Sequence, residues 1–337
     1  ARQRAAVRNL DNITWMQGSL LDLSDSDLEP FDYINCSGVL HHLHNPAEGL
    51  QALKAVLKND GAMGLMLYGK HGRTGIYHMQ ELMQLVNRNE IRSEAKIANT
   101  REVLDLLPES NWYKKAGKLY TVDGRQGDEE IYDLFLHSSD HPFTVPEIYD
   151  LLEGAGLKLV EFLPGSRALY DPQMAFRDAS ILETVLKLPR PDQQGAAELY
   201  WGTIKQHDFW ASAGSHSVAD FNDDENVPFF SQVSQLKKIP ELLKNHTDDQ
   251  WSMNVECSGG IMLNLSLEYS ETARRFVALI DGQRTLGEIR QSLELESSSD
   301  LSTQDIHETC SCLFETLRSY DLILLRHQSV PAFRTSY

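Results

Sequence analysis

Histidine and carboxylate side chains in predicted loops are the part of this sequence best suited to chemistry. Histidine exchanges protons near neutral pH and can therefore act as an acid or a base. The histidines concerned are His41, His42, His44, His71, His137 and His141. His137 follows Asp133 at a spacing of four, which would place both side chains on the same side of a helix. We predict that His137 and Asp133 form a catalytic pair that contacts a substrate, with helix capping as their alternative role.

The same histidines raise the question of a metal site. Imidazole and carboxylate groups are metal ligands, but their spacings along this chain do not define a cage of ligands. We therefore predict no metal site. Cys310 and Cys312 lie in a helical pattern without matching partners, so we expect them to be small buried side chains.

The elements that position these residues are recognisable from apolar patterns. Short runs rich in aromatic and β-branched residues predict strands, and an apolar stripe at helical spacing predicts a helix. The predicted elements are strands over residues 13–18, 31–36 and 62–68, with a helix over 47–57 that ends at Asn59-Asp60-Gly61. This order is typical of a parallel, doubly wound sheet, which binds ligands at the carboxyl ends of its strands. The pattern thus predicts a ligand site at Ser19 and Leu20 and at residues 37–42.

Three segments at these strand ends also resemble a known family. They are Gln-Gly-Ser-Leu-Leu-Asp-Leu (17–23), Phe-Asp-Tyr-Ile (31–34) and Ser-Gly-Val-Leu-His-His-Leu (37–43). Together they are similar to the second half of a class I S-adenosylmethionine-dependent methyltransferase. The resemblance covers roughly residues 1–170 and implies a Rossmann-like sheet.

The resemblance implies S-adenosyl-L-methionine as the cofactor and assigns residues to it. Ser19 and Leu20 correspond to the turn that contacts the adenine. Ser37, Gly38 and His42 correspond to the loop that lines the methionine side of the cofactor. His42 is interpreted as a packing residue beside the cofactor rather than as a base.

One family feature does not occur in this sequence. The family's first strand ends in a glycine-rich turn that holds the cofactor, and no Gly-x-Gly pattern precedes residue 13. Residues 1–10 are predicted to be the end of a helix that leads into the strand at 13–18. We therefore expect a fragment of a longer gene product, with an unpaired sheet edge, that is fragile and inactive by itself.

The rest of the chain is predicted to divide into further parts. The fold class is α/β, a partial doubly wound methyltransferase sheet with a helical cap insertion, followed by a C-terminal α+β winged-helix-like domain. The predicted parts are a methyltransferase domain at 1–172 with a cap insertion at 70–143, a helical connector at 173–215, an acidic linker at 216–250 and the winged-helix-like module at 251–330.

Local signals inside these parts predict particular structures. The glycine-punctuated loop 69–75 lacks the Gly-Lys-Ser/Thr ending of a P-loop, so we expect a mobile loop over the strand ends rather than a phosphate site. Thr144 and Glu147 predict a capping box that begins a helix. A strand over 157–163 follows it, with 167–170 as the strand's hairpin partner.

In the C-terminal part, the order of helix, turn, helix, helix and strand is typical of a winged helix. The predicted elements are, in chain order, a strand or hairpin edge at 261–266, a helix at 271–280, a helix that begins at Thr285-Leu286-Gly287-Glu288, a helix at 305–320 and a strand at 322–325. This region is similar to PqqD-like peptide-binding domains, which implies a peptide partner.

Composition excludes some classes of function. Lys plus Arg is 31 and Asp plus Glu is 49, which gives 31 − 49 = −18 and disfavours nucleic acid as a partner. The four cysteines are too few for a disulfide framework, and no apolar run reaches the roughly 18 residues that span a bilayer. We expect a cytoplasmic protein that does not bind membranes.

The functional prediction is methyl transfer from S-adenosylmethionine to a small-molecule or peptide acceptor. Two alternatives remain open at this point. One is a catalytically inactive methyltransferase-like scaffold whose C-terminal module binds a peptide or protein. The other is a nicotinamide-dependent oxidoreductase, which shares the sheet topology but whose glycine fingerprint does not occur in the sequence.

Overall fold

The computed structural model of the chain describes residues 2–117, 127–137, 139–163, 167–214, 219–231, 238–257, 260–296 and 302–332. Helices and strands alternate in its first part. The helices of the described residues are α1 (Arg2–Val7), α2 (Pro46–Ala55), α3 (Thr74–Val86), α4 (Ser93–Leu106), α5 (Trp112–Lys115), α6 (Asp128–Phe135), α7 (Val145–Gly154), α8 (Pro172–Ala175), α9 (Ala179–Leu186), α10 (Arg190–Trp201), α11 (Ile239–Lys244), α12 (Glu271–Leu279), α13 (Leu286–Glu296) and α14 (Thr303–Ser319). The strands are β1 (Phe31–Ser37), β2 (Leu57–Tyr68), β3 (Lys158–Phe162), β4 (Gln206–Ser212), β5 (Asn226–Phe230), β6 (Gln250–Cys257), β7 (Ile261–Glu268) and β8 (Ile323–His327).

The central sheet has four strands in the order β1-β2-β4-β3. β1 and β2 are parallel, whereas β4 runs antiparallel to both β2 and β3. The sheet is therefore mixed rather than wholly parallel. The predicted β1, α2 and β2 are confirmed, although α2 ends at Ala55 and residues 59–61 lie inside β2.

The strand predicted over residues 13–18 is not formed. β1 is the outermost strand of the sheet among the described residues, and this segment does not pair with its free edge. A single strand without hydrogen-bonded neighbours is unstable in water. Its side chains are also poorly covered, since Trp15 is 40% and Met16 is 69% exposed.

The hairpin partner of β3 also differs from the prediction. Arg167–Tyr170 is a short 3-10 helix, and the strand that pairs with β3 is β4, from the stretch predicted to be a helical connector. Gly202 ends helix α10 in the left-handed conformation, at φ 64°. Beyond it the odd-numbered positions from His207 to Ala211 are buried, which is the period of a strand rather than of a helix. Within the stretch predicted to be a helical connector, α8 to α10 are helices as expected, and only residues 206–212 complete the N-terminal sheet.

Helices α3 to α6 lie between β2 and α7, in the stretch that was predicted to be a cap insertion. They enclose a small apolar core of their own, separate from the main core. Its buried members are Met79, Met83, Leu107, Ile131 and Phe135. The predicted capping box at Thr144 and Glu147 is confirmed and begins α7.

The C-terminal part contains two further two-stranded sheets, β5 with β8 and β6 with β7. β5 lies within the stretch predicted to be an acidic linker, so that prediction is wrong for Asn226–Phe230. The predicted helices correspond to α12, α13 and α14, and residues 285–288 form the predicted capping box. Cys310 is buried as predicted, whereas Cys312 is exposed because it lies on the outer side of α14.

Among the described residues, none of the helices combines the length and the apolar character needed to cross a bilayer.

Candidate functional site

The carboxyl ends of β1 and β2 meet at one edge of the sheet because these strands are parallel. Gly38 follows β1 with φ 74°, a left-handed backbone that favours glycine. Its N–H donates to the Met66 carbonyl at 3.3 Å, which keeps the turn against β2. The chain then forms a 3-10 turn, Leu40–His42, so both histidines stand at the strand ends.

His41 lies inside a stack of aromatic and cationic groups. Its ring is fully buried and stacks on Tyr68 with the centroids 3.8 Å apart. The Arg73 guanidinium lies 3.6 Å from the centre of the Tyr68 ring. Burial, followed by the neighbouring His42 and Arg73, lowers the pKa of His41 to about 3. Burial also raises the pKa of Tyr68 and that of Tyr77.

His42 is half-buried and is held by hydrogen bonds to both ring nitrogens. Its Nδ1 donates to the Ser139 carbonyl at 3.2 Å, and its Nε2 lies 3.1 Å from Nε2 of His41. The ring of His137 packs beside it with the centroids 4.1 Å apart. The histidines of the strand-end loop and of the cap therefore meet in one place.

The segment between α6 and α7 crosses the strand ends and brings the cap residues to them. His141 N–H donates to the His41 carbonyl at 2.9 Å, and Phe143 N–H donates to the Tyr68 carbonyl at 2.8 Å. Lys70 N–H donates to the Phe143 carbonyl at 2.9 Å. These backbone bonds fix the segment on both strands.

Asp140 lies in the middle of that segment, with a side chain only 2% exposed. Gln80 Nε2 donates to its Oδ2 at 3.1 Å and to the Leu134 carbonyl at 2.9 Å. Arg73 Nη2 approaches the same Oδ2 at 3.9 Å, and Oδ1 has no hydrogen-bond partner. We call His41, His42, Tyr68, Arg73 and Asp140 the strand-end cluster.

The two residues of the predicted catalytic pair do not share a helix in the structure. Helix α6 ends at Phe135, so His137 lies beyond it and a helical spacing from Asp133 does not apply. His137 Nδ1 accepts the Ser139 N–H at 3.2 Å, and its ring faces His42. Asp133 is exposed and lines a different surface pocket with Ser93. The structure thus brings the ring of His137 to His42, and the charge of Asp133 acts on Tyr68; the role of the two as a catalytic pair stays a prediction.

The residues predicted to bind the cofactor lie in the turn before β1 and at the carboxyl end of β1. Ser19 is the N-cap of the 3-10 helix Leu20–Asp25, and its hydroxyl accepts the Leu21 N–H at 3.2 Å. Leu20 packs over α2 at Gly49, where an added Cβ would lie 3.3 Å from its Cδ2. Ser37 is exposed, and its hydroxyl donates to Asn35 Oδ1 at 2.9 Å. Their contacts with the cofactor itself stay a prediction.

Sequence reasoning missed Arg73, Gln80 and Asp140. Arg73 lies in the loop that was expected to be mobile, and it is buried. Gln80 lies in a helix that displays an ordinary apolar stripe, but it is buried too. Asp140 lies between two histidines, His137 and His141, in a polar stretch just before the helix N-cap Thr144. This polar stretch was the sequence signal that could have indicated a site.

A second buried polar cluster lies under the same segment. Tyr170 Oη donates to His207 Nδ1 at 2.9 Å, and His207 Nε2 donates to the Phe143 carbonyl at 3.0 Å. Glu198 faces His207 at 3.3 Å and accepts the Val145 N–H at 2.8 Å. The expectation that His207 is a satisfied core histidine is confirmed. We call Tyr170, Glu198 and His207 the inner cluster.

Residues 1–63 match a family model described as a methyltransferase domain. This stretch contains Ser19, Leu20, Ser37, Gly38 and His42, the residues to which the resemblance gave roles. The match therefore supports the interpretation of this part of the sequence as a methyltransferase domain. It gives no support to the scaffold alternative.

Known proteins similar to this chain extend the comparison beyond residue 63. An uncharacterized protein of Synechococcus sp. is 28% identical over 228 residues, which is 67% of this chain and 53% of that protein. PKMT2 from Rickettsia typhi in complex with AdoHcy is similar in structure, with a TM-score of 0.60 at 14% identity, over 97% of this chain and 64% of that chain. A second structure of PKMT2 from Rickettsia typhi has a TM-score of 0.58 at 12% identity, over 96% of this chain and 63% of that chain.

At these identities the structural likeness shows the fold alone. The fold is a mixed α/β one with a central sheet, and it is similar to the fold of the PKMT2 structures. The chain spans about half the length of the curated relative and a little less than two thirds of the solved chains.

Proposed function

We propose that this chain serves in methyl transfer from S-adenosylmethionine to an acceptor held over the carboxyl ends of β1 and β2. S-adenosylmethionine is the cofactor that the methyltransferase-domain match indicates. The observation that carries the proposal is the position of the strand-end cluster. The cluster lies at the carboxyl ends of the parallel strands β1 and β2, where sheets of this kind bind ligands. Part of it lies within residues 1–63, which match the methyltransferase-domain model.

The cofactor contacts in the proposal are those that the resemblance implies. Ser37, Gly38 and His42 line the methionine side, and Ser19 and Leu20 lie at the adenine. The left-handed turn at Gly38 leaves its backbone open to close approach by a ligand, since glycine has no side chain. A similar fold is found in PKMT2 from Rickettsia typhi, which was solved in complex with AdoHcy.

The acceptor is proposed to lie against His137 and the exposed side of His42. Methyl transfer needs little beyond alignment of the nucleophile with the sulfonium and exclusion of water. In neutral His137, Nδ1 accepts a backbone N–H, so Nε2 carries the hydrogen and can donate. His137 therefore positions an acceptor through a hydrogen bond. Asp133 has no role in the proposal, because it faces another pocket.

The acceptor class and the C-terminal module are part of the proposal. A small molecule or a peptide fits an acidic protein better than nucleic acid does. The helices α12 to α14 followed by β8 have the order of a winged helix, which supports the likeness to peptide-binding modules. We also propose a cytoplasmic location, on the basis of sparse cysteine use.

The experiment is a calorimetric titration of S-adenosylhomocysteine into this chain and into the longest natural protein that contains it. Binding by either protein supports the proposal, and binding by neither overturns it. Gly38→Val should abolish the binding, because a β-branched residue does not adopt a φ of 74° without strain. Gly117→Ala is the matched control, since a Cβ there meets nothing within 4 Å.

Transfer itself is measured with radiolabelled S-adenosylmethionine and two pools of acceptors, peptides and small molecules. Label in either pool identifies the acceptor class. Cofactor binding without label in either pool would contradict the transfer half of the proposal and leave cofactor binding intact. His137→Ala should weaken the use of acceptor and leave the affinity for S-adenosylhomocysteine unchanged.

A further inference from the structure

We infer that His41, His42 and Asp140 form a binding site for one transition-metal dication. The site goes beyond the proposed methyl transfer and does not depend on it. One ligand atom from each of the three residues lies within 4.8 Å of the others. Two imidazole nitrogens and one carboxylate oxygen are a donor set used by zinc and by non-heme iron.

An unpartnered buried oxygen at Asp140 points to a ligand that the protein does not itself supply. The side chain of Asp140 is 2% exposed, and its Oδ1 has no hydrogen-bond partner. A buried carboxylate oxygen without a partner is strongly unfavourable, so native proteins pair such groups or use them to coordinate metals. The Arg73 guanidinium lies 3.9 Å from the other oxygen, Oδ2, and stacks on Tyr68 instead of forming a bidentate pair with the carboxylate.

The carboxylate is held in orientation by a neighbouring amide. Gln80 Nε2 bridges Asp140 Oδ2 and the Leu134 carbonyl, so one oxygen is fixed and the other stays open. Hydrogen bonds to the non-ligating atom of a ligand residue are typical of metal sites, where they orient the ligand.

The orientation of His42 also fits a ligand. A carbonyl oxygen can only accept, so the 3.2 Å bond to Ser139 places the hydrogen of neutral His42 on Nδ1. Its Nε2 then carries a lone pair, which is directed at His41 Nε2 3.1 Å away and which a metal ion would take in place of that hydrogen bond. Metal-ligating histidines commonly donate their other nitrogen to a backbone carbonyl in this way.

The backbone holds the three residues together without any ion. The peptide groups on both sides of Asp140 are bonded to the two histidines. Ser139 supplies its carbonyl to His42 Nδ1, and His141 donates its N–H to the His41 carbonyl at 2.9 Å. The site is therefore built into the fold by contacts between segments that are almost a hundred residues apart, since Ser139 follows His42 by 97 positions.

The chemistry of the donors decides the class of metal. Imidazole nitrogen suits zinc, iron, copper and nickel, whereas magnesium and calcium prefer oxygen alone. Three protein ligands leave a coordination position open, as catalytic zinc sites do. If the acceptor binds where we propose, that open position is available to its nucleophilic atom, whose pKa the metal would lower.

The test is a titration of the metal-free protein with Zn²⁺ by calorimetry and with Co²⁺ by visible absorption. We expect one site with ligand-field bands of low-symmetry Co²⁺, and no binding of Mg²⁺ in the same buffer. His42→Ala and Asp140→Asn should each weaken binding at least about tenfold, and so should Gln80→Leu, which removes the orienting amide. His78→Ala is the matched control, because His78 is exposed on the same helix as Gln80.

Two further measurements keep the result decisive where a variant does not fold. Arg73→Gln removes the neighbouring positive charge and should tighten metal binding by about tenfold. X-ray absorption of the zinc-loaded wild type should show nitrogen and oxygen ligands that include imidazole. Absence of Zn²⁺ binding, binding unchanged in Asp140→Asn, or a sulfur ligand would each overturn the site. Because none of these readouts uses S-adenosylhomocysteine, the metal site and the proposed methyl transfer can fail independently.

Discussion

The strand-end cluster and the inner cluster are built from similar residues but differ in how completely these are paired. In the inner cluster, Tyr170, His207 and Glu198 form a chain of contacts that ends on backbone groups of Phe143 and Val145. Glu198 Oε1 lacks a hydrogen bond but lies 3.3 Å from His207 Nε2, whereas three atoms of the strand-end cluster, His41 Nδ1, Arg73 Nε and Asp140 Oδ1, are buried without a hydrogen-bond partner. Both clusters contact the same short segment, residues 139–145, from its two ends.

The difference separates a structural role from a functional one. A buried polar network in which nearly every group has a partner stabilises one fold, because breaking it leaves buried polar groups without hydrogen bonds. Buried groups that stay unpaired need a ligand to offset their desolvation. Substitutions in the inner cluster should therefore lower the free energy of unfolding, and substitutions in the strand-end cluster should weaken ligand binding.

The largest expected effect is that of Glu198→Ala. Its carboxylate accepts the first N–H of α7 and faces His207, so the change would leave the Val145 N–H buried and unpaired and open a cavity beside His207. We expect the free energy of unfolding to fall by about 3 kcal/mol, measured by urea denaturation. Glu198→Gln keeps an acceptor and should lose about half as much.

The control for this change is Glu183→Ala, which removes an exposed pair with Lys187 and should leave stability unchanged. If Glu198→Ala were as harmless as Glu183→Ala, the inner cluster would not be structural and the comparison would fail.

A smaller effect is expected from Gly72→Ala in the loop after β2. An added Cβ would lie 2.2 Å from the Ile204 carbonyl oxygen, so the backbone before β4 would have to move. We expect a loss of about 2 kcal/mol in unfolding free energy. Gly18→Ala, where a Cβ meets nothing within 4 Å, should show no loss.

This result would also decide how the loop 69–75 is understood. The sequence predicts a mobile loop, whereas the structure packs Gly72 and Gly69 against the Ile204 carbonyl. A Gly72→Ala protein with wild-type stability would favour the mobile loop and contradict the packed one.

Local signals explain which parts of the fold were predictable from sequence. β1, α2 and β2 follow from apolar runs and a helix N-cap, and α7 follows from the capping box at Thr144. Each signal lies within a few residues of the element that it defines.

Long-range pairing explains what was not predictable. β4 lies between β2 and β3, and its partners in the sheet are far from it in sequence. The strand-end cluster joins His42 to a segment 97 residues later, so no local spacing contains its geometry. His137 was predicted to pair with Asp133 on one helix, but that helix ends at Phe135, before His137.

Removing one tyrosine hydroxyl from each cluster compares the two clusters directly, and the expected loss of stability is of intermediate size. Tyr170→Phe removes a hydroxyl that donates to His207 Nδ1 at 2.9 Å and should lower the unfolding free energy by about 1 kcal/mol. Tyr68→Phe keeps the ring that stacks on His41 and Arg73 and should lower it by less than half as much. Thermal unfolding of both variants side by side provides the measurement. A larger loss in Tyr68→Phe than in Tyr170→Phe would reverse the assignment of structural and functional clusters.

The smallest expected effect is that of Lys70→Ala, which tests whether the lysine in the glycine-punctuated loop has a function. Its ammonium pairs with Glu147 at 3.1 Å, and both side chains are about half exposed. Exposed pairs of this kind contribute about 0.5 kcal/mol, and salt screens them. We expect a loss of that size that vanishes at high salt, with unchanged affinity for S-adenosylhomocysteine. A clear loss of affinity would show that Lys70 belongs to the ligand site, and the strand-end cluster would then include Lys70.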